Sequence, residues 1–530
     1  MLVNLRHVLS RPLTIIGLVC MAWLLLFNEP TSMYYYLTLA QLIFVPVMLE
    51  QLVLLKNWQR FIIAIGQFAV TILYFTQIDF LILLCVLTYL LSTLIVAFHG
   101  INRFLRRGFV NTAEMMIDIG LIYIVMGGLW FLAFHLQLYT GFSPIITWLT
   151  AIHFHYSAFL LCITVGLIGR LHMTRYFKFC CAVIAAGPML VAVGITFSRI
   201  VEIISVSLYV LVIFSISFFV VKWPLPRVHR LFIRLAFLTL CFTIIWSFLY
   251  AYSNLTGANL VDIPDMLDFH GLLNCLGFGI SVVIAWSLLL PPSKHHDYAF
   301  PISKIRGRFS PTNKPASGLV DDMASYVNKE EIPELVSEFY EHTTQFELKA
   351  SVQWATWFKP FAFVYQFISR KMGQLNLPFS SKTIVMDGEI WQVDSRNDGR
   401  EKSRVWNRSI NGDPVFNAIY SKHHDASNTY MNIALPLPFS SMHGILQLSV
   451  KDRALYLTSD GQGDAGTYLA ISSYIFKLPL HEYFVIKEQQ GTLTATHHMK
   501  LFGMKFLHID YYIQKKKLLV KIQQKSYHFS

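Results

Sequence analysis

The chain has 530 residues, a formal net charge of +12, and 55% hydrophobic against 14% charged residues. A single soluble globular domain does not have this balance, and the length is enough for two or three domains. We therefore expect a membrane protein whose partner is the lipid bilayer and not nucleic acid.

Charged residues are distributed unevenly along the chain. Up to Leu290 there are 15 Lys or Arg and 9 Asp or Glu, whereas from Pro291 onward there are 28 and 22. All seven cysteines fall in the first part, in neither metal-ligand nor disulfide spacing, and we interpret them as small buried residues. The sequence predicts a membrane domain over 1–290, a basic linker rich in Pro, Ser and Gly over 291–318, and a further domain over 319–530.

The first part contains ten apolar runs of membrane-spanning length. They cover residues 12–28, 33–55, 61–77, 79–98, 114–135, 145–168, 178–197, 201–221, 231–252 and 267–290. The first and third runs are short. The first follows Arg6 and Arg11 but lacks a convincing cleavage site, so we interpret it as a helix that stays in the protein and not as a signal peptide.

The loops between these runs alternate in charge. Of the 15 Lys and Arg up to Leu290, all except Arg199 fall on one side of the predicted membrane. Cytoplasmic loops are enriched in Lys and Arg, so the pattern predicts that both termini are cytoplasmic. The basic linker would then lie beside the inner leaflet, where it would either bind anionic lipid headgroups or simply be solvated.

The pattern changes again after the linker. Residues 319–340 and 352–372 predict helices, and the second has an aromatic face that would either cap a sheet, which we favour, or lie on a membrane. Short alternating segments follow, separated by turn residues. They cover residues 383–393, 415–420, 430–435, 444–450, 454–458, 467–476, 483–487, 492–500 and 505–514.

These elements define the predicted fold class. It is a polytopic α-helical membrane domain of about ten transmembrane helices, followed by a cytoplasmic α+β domain dominated by antiparallel β-sheet. We expect about eight strands, arranged as a sandwich or an open barrel with helices on one side.

Ionisable side chains inside spanning helices are costly, and each is therefore a candidate functional residue. Those of the sixth and tenth runs lie toward the predicted extracytoplasmic end of the helices. The predicted ligand site consists of His153, His155, Tyr156, His270 and Asn274, with Asp268, Arg199 and Glu202 in supporting positions.

Helical spacing limits which of these side chains converge. His270 and Asn274 share a stripe, and His153 and Tyr156 share a face, whereas His155 lies about 160° from His153. The two histidines of the sixth run therefore cannot ligate one metal unless the helix is distorted, and we predict no metal site and assign no cofactor. For each histidine the alternative role is an interhelical hydrogen bond.

Two acidic residues lie at the opposite end of the predicted spans. Glu114 and Asp118 are four residues apart at the start of the fifth run, close in sequence to Arg103, Arg106 and Arg107. An ion pair that anchors this loop is favoured over a proton relay.

Two sequence patterns resemble a known family. The run HFHY at 153–156, the pattern HGxxNxxGF at 270–278 and the ten-helix body with a β-rich tail resemble the YndJ-like membrane proteins of Bacillus and its relatives. The resemblance covers most of the chain and implies a location in a bacterial plasma membrane. Members of that family are sometimes labelled transporters without an established substrate, so the resemblance implies little about mechanism.

Three functions are consistent with these features. The first, which we favour, is a transporter or binder of a small or lipophilic molecule at the extracytoplasmic site. The second is a membrane-embedded enzyme acting on a lipid or lipid-linked substrate, with His153 or His270 as general base oriented by Asp268. The third is a non-catalytic envelope protein whose β-rich domain docks a partner.

The charge pattern yields a testable topology. A reporter fused after Ser530 should be cytoplasmic, and one inserted in the loop 253–266 should be external, because the first position follows basic loops and the second has no Lys or Arg. Protease protection of the two fusions in intact cells measures this. Finding both reporters on the same side would overturn the ten-helix topology.

Overall fold

A computed structural model of the protein describes residues 2–28, 33–295, 298, 300–307, 314–425 and 427–516. The chain forms two compact units. One comprises Met1–Phe104 and Asn111–His295, and the other comprises Leu105–Val110 and His296–Ser530. Parts of the predicted linker, residues 296–297, 299 and 308–313, lie outside the described residues, as does the segment 517–530.

The first unit is helical, since an apolar segment in lipid must satisfy its backbone hydrogen bonds internally. Its helices are α1 (Leu2–Leu9), α2 (Pro12–Phe27), α3 (Tyr35–Leu52), α4 (Asn57–Ile72), α5 (Asp79–Arg107), α6 (Thr112–His135), α7 (Pro144–Leu171), α8 (Arg175–Phe197), α9 (Arg199–Lys222), α10 (Arg227–Thr256) and α11 (Ile263–Leu288).

Each of the ten predicted runs forms a helix, from α2 to α11. Within the described residues, eight helices are long and apolar enough to cross a membrane, by length and composition. The other two, α2 and α4, have 16 residues each. They correspond to the first and third runs, the short ones, so the count of ten spans is approximate.

A buried ion-pair network joins α5, α6 and α7. The carboxylate of Glu114 accepts two hydrogen bonds from Arg170, at 2.7 Å from Nε and 3.0 Å from Nη2. It also accepts one from Arg103 Nη2 at 3.0 Å, and Arg103 Nε donates to Asp118 Oδ1 at 2.7 Å. The predicted ion pair is confirmed for Arg103, whereas the partnership with Arg170, which is 56 residues away in sequence, was not predicted.

The same arginines also hold main-chain groups at helix ends. Arg103 Nη1 donates to the carbonyl of Leu52 at the end of α3, at 3.2 Å, and Arg170 Nη1 donates to the carbonyl of Pro291 at 2.8 Å. Ser293 Oγ donates to the Glu114 carboxylate at 2.8 Å. The network thus satisfies a carbonyl at the end of α3 and one in the chain that follows α11.

The second unit is mainly β-sheet. Its strands are β1 (Phe346–Trp354), β2 (Ile384–Gln392), β3 (Arg404–Ile410), β4 (Asp413–His424), β5 (Thr429–Leu437), β6 (Ser440–Lys451), β7 (Ala454–Thr458), β8 (Gly466–Ile471), β9 (Tyr474–Lys477), β10 (Leu480–Gln489), β11 (Thr492–Leu501) and β12 (Met504–Lys515). Among the residues described for this unit, three α-helices accompany them: α12 (Glu334–Glu341), α13 (Lys359–Met372) and α14 (Ser395–Asp398).

Ten of these strands close into an antiparallel barrel. Their order is β5-β4-β3-β2-β1-β12-β11-β10-β7-β6, and pairing of β5 with β6 completes the ring. Strands β8 and β9 form a hairpin attached to β6. Because the ring is closed, its strands leave no long unpaired edge, and their inward side chains form an apolar core.

The structure differs from the sequence prediction in detail. The barrel is closed and has more strands than the eight expected; β1 and β3 were not predicted, and the segment 467–476 is the hairpin β8–β9. Within the predicted helix 319–340, only the residues of α12 form an α-helix. The first residues of the predicted helix 352–372 belong to the end of β1, and the helix itself is α13. Strand β1 contains Glu, Lys, Ala and Gln, which are uncommon in strands, so pairing with β2 and β12 overrides local propensity.

Part of the predicted linker is not exposed. Phe300 is 5% and Ser303 0% exposed, and the amide of Gly307 donates to the carbonyl of Leu437 at 3.0 Å. Ser303 also donates to the buried carboxylate of Asp398. The segment 300–307 therefore packs within the barrel unit, which begins earlier than residue 319.

This packing predicts how fragments will behave. A fragment of residues 296–530 should give a β-dominated circular dichroism spectrum and a cooperative melt. A fragment of residues 319–530 should be less stable by about 2 kcal/mol or more, because it lacks the buried Phe300 side chain and the hydrogen bond from Ser303. A helical or unfolded spectrum for the longer fragment would contradict autonomous folding of this unit. Equal thermal stability of the two fragments would contradict a stabilising role for residues 300–307.

Candidate functional site

The segments that carry most of the predicted site residues contain π-helical turns. These turns cover Phe154–Leu160 in α7, and Met266–Gly271 and Asn274–Ile280 in α11. A third helix, α3, contains one at Ala40–Phe44. π-Helical turns are rare in proteins, and those that do occur are often found at functional sites. The wider turn changes which side chains share a face of the helix.

The rings of His153 and His270 face each other between α7 and α11. Their centroids are 6.4 Å apart and their planes differ by 28°. Nδ1 of His153 lies 2.7 Å from the carbonyl oxygen of Leu149 in the same helix. A ring nitrogen beside a carbonyl oxygen carries the proton, so Nε2 of neutral His153 is an acceptor. His153 is exposed, and its Nε2 makes no hydrogen bond to any described residue.

His270 and Asn274, in contrast, have interhelical partners on α10. Nδ1 of His270 is 3.0 Å from the carbonyl oxygen of Thr243 and 3.2 Å from Oγ of Ser247. Asn274 Nδ2 donates to His270 Nε2 at 3.1 Å, and Thr243 Oγ1 donates to Asn274 Oδ1 at 2.8 Å. This network fixes the orientation of the His270 ring.

Tyr156 links α7 to two other helices. Its hydroxyl donates to the carbonyl oxygen of Tyr36 at 2.7 Å and lies 3.2 Å from Cys275 Sγ. Its ring packs edge-on against Phe44 with centroids 5.9 Å apart. Tyr156 is buried, and its contacts hold α3 and α11 against α7.

His155 is directed toward different helices. Its Nε2 is 2.6 Å from the hydroxyl of Tyr89 on α5, and its Nδ1 is 2.8 Å from the carbonyl oxygen of Ala151. On α6, a Cβ added at Gly127 would lie 2.7 Å from the His155 ring. The structure therefore does not bring His155 together with His270, although the sequence analysis placed both in one ligand site. The angular separation of His155 from His153 expected from helical spacing gives the reason.

The supporting residues do not join the histidine pair either. Arg199 Nη1 donates to Glu202 at 3.0 Å, and Asn254 Nδ2 donates to the same carboxylate at 3.0 Å, which ties α9 to α10. Asp268 is exposed, and none of the hydrogen bonds described for His270 goes to it. In the described part of the chain, no group of three or more His, Cys, Asp or Glu could hold a metal ion.

The structure also contains a cavity that sequence reasoning missed, inside the barrel. Its volume is about 310 Å³, and its lining includes the charged side chains Arg408 and Glu482 among mostly apolar ones. Trp406 and Arg408 alternate on β3 and share its inward face. The spacing of two residues between Trp406 and Arg408 could have indicated that they share one face of a strand. It was not used, because β3 was not predicted from the sequence.

The chain is similar to known membrane proteins. Residues 35–278 match the model of a family described as YndJ-like protein. The chain is 37% identical over 444 residues to "Uncharacterized membrane protein YndJ" of Bacillus subtilis (strain 168). The matched region covers 79% of this chain and 81% of that protein. No solved structure matches the chain.

The two facing histidines should respond differently to substitution. His270→Ala removes the interhelical hydrogen bonds to α10 and should lower stability by about 1–2 kcal/mol. His153→Ala removes a bond within its own helix and should leave stability nearly unchanged. Thermal unfolding of both purified variants in one detergent measures the difference. Equal losses would contradict the described hydrogen bonding.

Proposed function

The chain belongs to the YndJ-like family of membrane proteins, and on that premise we propose that its membrane domain binds or transports a small or lipophilic molecule at His153 and His270. The family match spans residues 35–278, which include both histidines and Asn274. The protein is a multi-helix membrane protein, and the proposal concerns what that membrane domain does.

One observation carries the proposal. His153 is exposed within an apolar bundle, and its Nε2 lone pair has no partner among the described residues. A polar group at such a position is costly unless it serves function. The ring of His270 is held by hydrogen bonds to α10 and bounds one side of the space next to His153.

The chemistry of the site indicates what it would accept. Because Nε2 of His153 is an acceptor, the bound molecule should present a donor such as a hydroxyl or an amide. Phe269 and Leu272 of α11, which flank His270 in sequence, are exposed and apolar. The molecule should therefore combine a donor group with an apolar body.

The orientation of the site is part of the proposal. The one-sided distribution of Lys and Arg supports cytoplasmic termini, a cytoplasmic barrel and an extracytoplasmic position for the histidine pair. The resemblance and the Bacillus subtilis relative support a bacterial plasma membrane. Basic residues of the linker would contact anionic headgroups on the cytoplasmic side.

Binding is better supported than catalysis. The enzyme hypothesis required Asp268 to orient one of the histidines, but the described bonds of His270 go to Thr243, Ser247 and Asn274. The described hydrogen bonds of His270 therefore do not include the carboxylate that the enzyme hypothesis assigned to orient it.

Co-purification tests the proposal. Lipophilic molecules extracted from purified wild-type protein should include species that are depleted at least about tenfold in His153→Ala, since that variant removes the free acceptor. His172→Ala, at the other end of α7, is the matched control. Mass spectrometry of the extracts gives the comparison. Identical extracts from wild-type protein and a folded His153→Ala variant would refute the proposal.

A further inference from the structure

The barrel interior has the properties of a binding site distinct from the histidine pair. Its volume of about 310 Å³ is within the range of small-ligand pockets, which is roughly 300–1,000 Å³. Leu348, Leu446, Leu457, Ile486 and Ile509 are among the aliphatic residues that line it. An apolar cavity of this size favours an apolar guest over water.

One cation lies in this apolar lining. The guanidinium of Arg408 stacks between the rings of Trp406 and Phe416, with its central carbon 4.5 and 4.3 Å from their centroids. None of the ion pairs within 4.0 Å among the described residues involves Arg408, and its buried Nε has no hydrogen-bond acceptor among them. The two aromatic faces hold the cation in place but do not neutralise its charge.

The acidic residue of the cavity is on the far wall. Glu482 lies on β10, which is five strands from β3 in either direction around the ring. Its carboxylate is 3.4 Å from Nε2 of His497 on the neighbouring strand. Glu482 therefore lies beside His497, and no ion pair within 4.0 Å joins it to Arg408 in the described part of the chain.

Two tyrosine hydroxyls accompany Arg408. Burial raises the pKa of Tyr420 to about 12 and also raises the pKa of Tyr511. The charge of Arg408 lowers both pKa values, and the carboxylate of Glu482 raises both. Both hydroxyls are thus protonated at neutral pH and can donate hydrogen bonds. The cation and these two donors lie near one another in the cavity.

We propose that the barrel binds a single-chain anionic amphiphile, a long-chain carboxylic acid, whose carboxylate pairs with Arg408 and whose alkyl chain fills the apolar cavity. Arg408 is half-buried, and its buried Nε has no acceptor among the described residues. A cation held against an apolar lining is costly unless an anion compensates it, and an arginine fork matches the two oxygens of a carboxylate. The occupant requires no contribution from the membrane-domain site, so the two proposals stand or fall separately.

Helix α13 indicates where such a molecule would enter. Tyr365 on its inner side lines the cavity, together with Phe358 just before the helix. Its outer face exposes Phe361, Phe363 and Phe367, each more than half exposed. The aromatic residues of this segment therefore serve both roles considered from sequence, since some cap the barrel and others form an apolar surface compatible with a lipid phase.

Photolabelling tests the proposal on the full chain in lipid nanodiscs. The probe is palmitic acid carrying a diazirine in its alkyl chain, and labelled peptides are mapped by mass spectrometry. Label should appear on β3, β4 and β12, fall about tenfold or more in Arg408→Met, and be partly retained in Arg408→Lys. Arg396→Met, at an exposed arginine on α14, is the matched control and should label like the wild type.

Competition on the wild-type protein makes the result independent of any folding defect in the variants. Unlabelled palmitate should suppress the barrel label, and methyl palmitate, which lacks the charge, should do so at least about tenfold less well. Label confined to α2–α11, equal competition by the ester, or unchanged labelling in a folded Arg408→Met variant would each overturn the proposal.

Discussion

The carboxylate of Glu114 is the point at which the membrane domain is held together. It accepts hydrogen bonds from Arg103, Arg170 and Ser293, and these residues come from α5, α7 and the chain after α11. Each arginine also satisfies a carbonyl at the end of another segment. Charges removed from water repay their desolvation only when every donor and acceptor is matched, and here two carboxylates face two guanidiniums. The network is at the opposite end of α6 and α7 from the histidine pair.

The histidine pair depends on that fixed frame because it is built from irregular turns. Three π-helical segments, in α3, α7 and α11, meet around Tyr156, whose hydroxyl and ring contact the other two helices. A π turn gives up regular hydrogen bonding and must be stabilised by its surroundings. In this protein the surroundings are a tyrosine hydroxyl, close packing at Gly279 against Phe44, and the polar contacts of His270 with α10. One histidine of the pair is thereby held rigidly while the other retains a free acceptor.

Sequence reasoning was accurate where one local pattern determines the structure. Each of the ten apolar runs corresponds to one of the helices α2–α11, although α1 was not predicted, and helical spacing separated His155 from His153. It could not identify Tyr89 and Gly127 as the neighbours of His155, because no local pattern encodes which helices touch. The barrel shows the same limit. The fold class followed from alternation, but β1 has a helix-like composition and closes the ring with a strand more than 150 residues later in the chain. The cavity and Arg408 exist only once that pairing is known, so neither was accessible from sequence.

The pairing of β1 with β12 also determines the order in which the barrel can form. Its register joins Phe346 to Lys515 and Trp354 to Leu507, whereas the other ring pairings join strands that are consecutive or separated by a single hairpin. As the ribosome extends the chain, the hairpins can form one after another, but the last contact has to wait for β12 and must overcome the entropy of closing a long loop. Until then, two strand edges and the apolar inner wall are open to other chains, as is common for aggregation-prone folding intermediates. Biogenesis of this protein therefore has a vulnerable interval after its helices have been made, which ends only when the last strand of the ring is in place.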